Sequence, residues 1–342
     1  VDAGIAEERY RLRRRLAYLV LAVAAVGVSL AGLLVGSVAI GFGDLWHLLQ
    51  VRSGLSDDPE TLADSVLWAI RLPRVLAGIV AGAGLSVAGV ALQATFRNPM
   101  ADPHLVGIAP AAGLGAVAGI ALTSPGGTPL VMMTMAAIGG ILLALLMRRI
   151  AANVLDSGQL ILVGLALGLA FLAVLGAVVL AWDSPRVPTF TFWVFGGLAG
   201  STWSTLGAAV PFVVVGSAVV LSRSRLLDLL ALGEDEARHL GVDVSQLTTL
   251  TLAAAGVIIG GAVGLAGVVG FVGLVVPLML RYWVGPSHRS LVLLAALGGA
   301  AVLVAVDTMA RTVAPPVEIP VGLLTAIVGA PVLVWFLLRR SR

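Results

Sequence analysis

The sequence predicts an all-α, polytopic membrane protein, and three observations carry that prediction. Apolar residues make up 59% of the 342-residue chain and charged residues only 11%, too few to coat a water-soluble globule of this size. The apolar residues fall in near-continuous runs of about twenty, the length a helix needs to cross a hydrocarbon core about 30 Å thick. The short polar breaks between runs are rich in arginine, which marks the two sides of a membrane unequally.

Taken in order, residues 1–15 hold five arginines and no long apolar run, and read as a cytoplasmic N-terminal segment. The run at 16–38 is too long for a signal-peptide core and has no convincing small-residue cleavage motif, so it is the first expected span. Nine more follow at residues 72–95, 105–123, 130–147, 159–181, 204–222, 246–267, 268–284, 290–309 and 321–338. With the N-terminus inside, sixteen arginines fall on the inner side, and five, Arg52, Arg71, Arg74, Arg186 and Arg311, fall outside. One span more or fewer would exchange the later loops and spoil that bias. The expectation is therefore one transmembrane domain over residues 1–342 with about ten helices and both termini cytoplasmic.

Three connections are long: 39–71 and 182–203 outside, and 223–245 inside. The inner one contains a short helical pattern at 232–241, with Ala237 and Leu240 on one expected apolar side and glycine near both ends. It reads as a docking element or as a solvated surface helix. Within the spans, glycine and serine recur at helical spacing, at Gly78, Gly82 and Ser86 and again at Gly256, Gly260 and Gly264, which points to close helix packing.

The chemistry of the chain narrows its function further. All 21 basic side chains are arginine, so the lysine-bearing phosphate loop of nucleotide hydrolases cannot be built. There is no cysteine, and the histidines His47, His104, His239 and His288 have no partners at metal-ligand spacing. The net charge of +3 rests on arginines at helix ends, a poor basis for nucleic-acid binding. An ion-coupled carrier needs charge near the bilayer midplane. The spans offer only Asp307, near the outer end of its helix and four residues before Arg311, where a local ion pair is expected. No nucleophile elbow or paired carboxylate suggests an enzyme, and the energy source is expected outside this chain.

Two polar islands remain, Arg71-Leu72-Pro73-Arg74 on the outer side and Arg97-Asn98-Pro99-Met100-Ala101-Asp102-Pro103 on the inner. With Gly89 to Gln93, Gly107, Gly270-Phe271-Val272-Gly273-Leu274-Val275-Val276-Pro277, Asp307, Ala310-Arg311, Glu318-Ile319-Pro320-Val321-Gly322 and Gly329-Ala330-Pro331, they resemble the iron-siderophore, haem and cobalamin permeases of bacterial ABC importers. The resemblance runs over about residues 15–338 and implies ten helices per subunit in the bacterial cytoplasmic membrane. It also implies a homodimer, two ATP-binding subunits, and a periplasmic or lipid-anchored binding protein, with no cofactor.

By the same resemblance, Gly233, Glu234, Glu236, Ala237, Leu240 and Gly241 belong to the ATPase-coupling element. Arg71, Arg74 and Arg311 match positions that meet acidic residues of the binding protein, and are expected to be exposed. Asn98 and Met100 match the cytoplasmic exit, and Ser157 and Gly158 the inner gate. Leu278 stands where the family usually has histidine, and is expected only to pack. For cargo, the outer stretch 182–203, with Arg186, Phe190, Phe192, Trp193, Phe195 and Trp203, suits a flat chelate or a helix interface equally. The reading favours an iron chelate, haem or ferric siderophore. A corrinoid of the same family is the alternative, and an ion-coupled carrier a weaker one.

Overall fold

A computed structural model describes residues 2–36, 38–55, 59–123, 128–151, 157–181, 190–314 and 317–340. Helix is the regular structure throughout the described residues. Helix α1 (Asp2–Leu34) runs unbroken through the arginine-rich segment and the first apolar run. The expected outer loop at 39–71 is largely helical instead. It contains α2 (Phe42–Arg52), α3 (Leu62–Val66) and a π-helical turn (Leu67–Arg71) that flows into α4 (Leu72–Thr95).

The second span therefore starts ten residues before the expected position, and local chemistry explains why. Thr61 and Asp64 form a capping box, with the Thr61 hydroxyl accepting from the Asp64 amide at 3.1 Å and Asp64 Oδ2 accepting from the Thr61 amide at 2.7 Å. Proline at 73 lacks an N–H, and its ring would collide with the carbonyl four residues back in a regular helix. The π turn widens the backbone just there, with the Leu72 amide donating to the Leu67 carbonyl, so the helix passes the proline without breaking.

The remaining helices are α5 (Ile108–Leu122), α6 (Pro129–Ala151), α7 (Ser157–Ala181), α8 (Phe190–Phe195), α9 (Trp203–Leu230), α10 (Glu234–His239), α11 (Val244–Ala266), α12 (Val272–Val284), α13 (His288–Ala310) and α14 (Val321–Arg340). Among the described residues seven helices are long and apolar enough to cross a membrane, and three more, in α5, α12 and α14, are apolar but shorter. Helix α9 continues to Leu230, so Arg223 and Arg225 lie on a helix and the expected inner loop at 223–245 is shorter.

Helices α4 and α11 form the centre, with 78% of their apolar windows buried against 11% for α1 at the rim. α4 packs on α13, α11, α9 and α12, while α11 also packs on α6. Glycine makes this possible at two crossings. A Cβ on Gly82 would run into the Gly299 carbonyl of α13, and one on Gly89 into the Gly273 carbonyl of α12. With no side chain in the way the backbones meet directly, which in a membrane replaces the missing hydrophobic drive by dense van der Waals contact.

Candidate functional site

Three groups of residues carry the expected functions, and the structure treats them differently. The first is the connection from α9 to α11. Gly233 adopts φ +136°, reachable at little cost only without a Cβ, and turns the chain from α9 into α10. A side chain there would also strike the Glu236 carboxylate. Ala237 is fully buried among Leu227, Leu230, Val242, Val244, Leu247 and Ala94 of α4. Gly241, at φ +84°, turns the chain out again, and the Asp243 carboxylate caps α11 by accepting from the Gln246 amide at 2.9 Å.

The expectation that Ala237 and Leu240 share an apolar side is corrected. Leu240 is the C-cap residue, past the helical register, and is 59% exposed, as is Leu232 at 65%. The element thus has a buried anchor and two apolar side chains pointing away from the bundle. Glu234 pairs with Arg238 at 3.0 Å and with Arg97 at 3.3 Å, and Asp235 pairs with Arg238 at 2.9 Å. The Arg97 bridge ties α10 to the inner polar island, a link across 137 residues that no local pattern announces.

The second group is that island. Arg97 lies at φ +47°, ending α4. Asn98 is 5% exposed, and its Oδ1 accepts from the Met100 amide at 2.9 Å, forming a tight turn. Asp102, buried, accepts from the amides of His104 and Leu105 at 2.8 and 3.2 Å and starts the approach to α5. Gly107 packs against Gly164 and Gly168 of α7, so the island's far end touches the helix that opens with Ser157 and Gly158. Gly158 is exposed at that start, while the side chain of Ser157 lies outside the described residues. Leu278 is buried, in keeping with a packing role.

The third group departs most from expectation. Arg71, Arg74 and Arg311 are not exposed cations. Arg71 is 3% exposed and donates to the carbonyls of Leu33 and Leu34 at 2.6 and 2.8 Å, closing the end of α1. Arg74 is 6% exposed and forks between two carboxylates, with Asp307 on α13 at 2.9 Å and Glu318 at 3.0 Å. Arg311 donates to the Gly32 carbonyl, and its Nε lies 3.8 Å from Asp307. The expected pair of Asp307 with Arg311 is therefore secondary, and Asp307 belongs to Arg74. The reason is burial: a guanidinium at this depth must satisfy its donors inside the protein. Arg74 and Glu318 lie 244 residues apart, so sequence spacing gave no sign of their pairing.

Among the described residues no cluster of three histidine or acidic side chains could hold a metal. His47 and His288 instead face Asp64 and Asp228, at 2.8 and 2.7 Å. The outer aromatic stretch is described only in part, and Arg186 lies outside the described residues along with the side chain of Phe190. Trp193 is buried against Phe192 in an edge-on pair, while Trp203 packs on Trp68 and donates to its carbonyl.

The described residues thus form a helical bundle with a short helix moored at one end and a buried charge cluster among the helix ends. Residues 20–339 match the FecCD transport family, and the chain belongs to that family of ABC importer permeases. It is 44% identical over 287 residues to the cobalamin import system permease of Halobacterium salinarum, covering 83% of this chain and 76% of that protein. It is 35% identical to the hemin transport system permease of Yersinia pestis, covering 96% and 97% of the two chains. An inward-facing structure of a metal-chelate type ABC transporter superposes with a TM-score of 0.77 at 29% identity, covering 95% of this chain and 99% of that one. The protein is a multi-pass membrane permease, and permeases of this family are non-catalytic subunits paired with separate ATPase subunits.

Proposed function

We propose that this permease carries a corrinoid, working as a homodimer above two ATP-hydrolysing subunits and below a soluble binding protein, periplasmic or lipid-anchored. The observation that supports the coupling half of this reading is the mooring of α10. Ala237 is locked into the ends of α9, α11 and α4, while Leu232 and Leu240 project outward. A push on the projecting residues is therefore carried by packed side chains into the two central helices. Gly233 and Gly241 shape the element, Glu234 braces it through Arg97 and Arg238, and Glu236 lies folded against Gly233.

Ten crossings with both termini cytoplasmic are supported by the arginine distribution and by ten apolar helices among the described residues, of which α5, α12 and α14 are short. Under this topology residues 1–15 and the α10 connection face the cytoplasm, and the chain forms one domain. Asn98 and Met100 then lie at the exit, with Ser157 and Gly158 at the inner gate. Docking of the binding protein is assigned to the opposite end, around Arg71, Arg74 and Arg311. Since these side chains are buried, an acidic partner group would reach Arg74 by displacing Glu318, whose side chain is 46% exposed.

The corrinoid is favoured over the iron chelate expected from sequence because the 44% relative is a cobalamin permease. Vitamin B12 permeases of Escherichia coli are 36% identical over 81% of this chain. Haem is the second reading, carried by the Yersinia pestis relative. The test is uptake into vesicles holding the permease with its ATPase and binding protein, given cobalamin, haem and a ferric siderophore at equal concentration. ATP-dependent uptake of cobalamin alone is expected, and uptake of haem or siderophore in its place would overturn the assignment.

A further inference from the structure

A cavity of about 650 Å3 lies at the end of the bundle that carries α10, between α4, α9, α12, α13 and α14. Its polar lining is Gln93, Arg97, Arg281 and His288. Tyr282 and Trp335, 77% and 49% exposed, also line it and mark where it meets the surface. Amphipathic rings at the ends of apolar helices sit at the level of lipid headgroups.

Two acceptors in the buried lining have no donor among the described residues. Gln93 is 2% exposed, its Nε2 donates to the Leu274 carbonyl at 3.4 Å, and its Oε1 has no donor among the described residues. His288, also 2% exposed, donates its backbone N–H to Asp228 Oδ1 at 2.8 Å, with ring Nδ1 2.7 Å from the same oxygen. A carboxylate oxygen only accepts, so in the neutral ring Nδ1 carries the proton and Nε2 is an acceptor, again without a donor. Asp228 is engaged by His288, and Glu234 stands 3.3 Å from Arg97. One cavity at headgroup depth thus combines two guanidinium groups with two acceptors that lack donors.

We propose that this cavity binds a phosphoglycerol group, the headgroup of an anionic lipid in the leaflet nearest α10. The phosphate would meet the guanidinium groups, and the glycerol hydroxyls would supply the protons that Gln93 Oε1 and His288 Nε2 lack. Basic pockets between membrane helices hold acidic headgroups on this principle. The site goes beyond the transport reading and does not depend on the cargo.

The test exchanges the purified full-length protein through mixtures of phosphatidylglycerol and phosphatidylcholine, and reads retained lipid by native mass spectrometry. Retention of phosphatidylglycerol about tenfold or more over phosphatidylcholine is expected from charge-assisted contacts. Arg281→Gln should abolish the preference, and so should Met279→Trp, which fills the cavity without changing charge. Thermal unfolding of each variant shows which is folded, and a folded Met279→Trp protein decides the matter if Arg281→Gln is not. Displacement of the lipid by soluble glycerol phosphate would support the site and assign its source to the free anion. Equal retention of both lipids by the wild type, or an unchanged preference in the folded Met279→Trp protein, would overturn the proposal.

Discussion

Replacing Arg74 by glutamine removes the cation that bridges Asp307 and Glu318, and the structure indicates how unequal the consequences are. Arg74 makes five N–H···O contacts of 2.9 to 3.1 Å, three of them to Asp307 and two to Glu318. Asp307 is 2% exposed, and its other cation, Arg311, stands 3.8 Å away, too far for a hydrogen bond. Without Arg74 a buried carboxylate stands nearly alone, a loss of about 3 to 5 kcal/mol when one partner of a buried pair is removed. Glu318 has a side chain 46% exposed, so Glu318→Gln should cost no more than about 1 kcal/mol. Combining Arg74→Gln with Asp307→Asn removes both charges of the buried pair, and should cost clearly less than the sum of the single changes. The assay is reversible unfolding in detergent micelles, comparing the singles and the double. If Arg74→Gln costs less than 1 kcal/mol, or the double is additive, the cluster does not hold α4 to α13 and the burial argument is wrong.

Hydrogen bonds from Arg74 hold the Glu318 carboxyl below its ordinary value of 4.5. Its contribution is present above that value and lost as pH falls through the lower folded one, so acidification should destabilise the wild type more than Glu318→Gln in a pH series of melts. Gly89→Ala places a methyl group against the Gly273 carbonyl and should cost about 1 to 3 kcal/mol or more, whereas Gly27→Ala, with open space around it, should be neutral or stabilising in the same assay. Leu240→Asp should leave the melting temperature near wild type, since the side chain is 59% exposed, while lowering uptake per ATP hydrolysed in the assembled transporter. Wild-type coupling in that variant would remove α10 from the force path. The isolated permease should show no ATP hydrolysis above background, and turnover without the ATPase subunit would contradict its place as a transport subunit.

Much of this protein was legible in its residues. Apolar runs of about twenty residues announced membrane helices, because a chain that cannot hydrate its backbone in lipid must satisfy it within each helix. Glycine at 233 and 241 bracketed the short helix α10, and the stripe of Gly78, Gly82 and Ser86 indicated a packing face, met by Val304, Leu303 and Gly299 of α13. The capping box at Thr61 and Asp64 is equally readable in the sequence, and it sets the start of the second helix ten residues before the expected start at 72.

The state of the arginines was decided by tertiary structure alone. Charge counting places Arg71, Arg74 and Arg311 at one membrane surface, but a count along the chain has no depth coordinate. Arg74 is buried because α4 and α13 cross where Gly82 meets Gly299, close enough for its guanidinium to reach Asp307, 233 residues away. Leu240 shows the same limit on a smaller scale, since one residue past the end of α10 the helical register no longer applies and an expected inner face becomes an outer one. Composition and spacing determine which segments enter the membrane, because that choice depends on each segment's own transfer from water. Which charges remain available at its surface depends on how the helices cross, and those distances exist only in the assembled bundle.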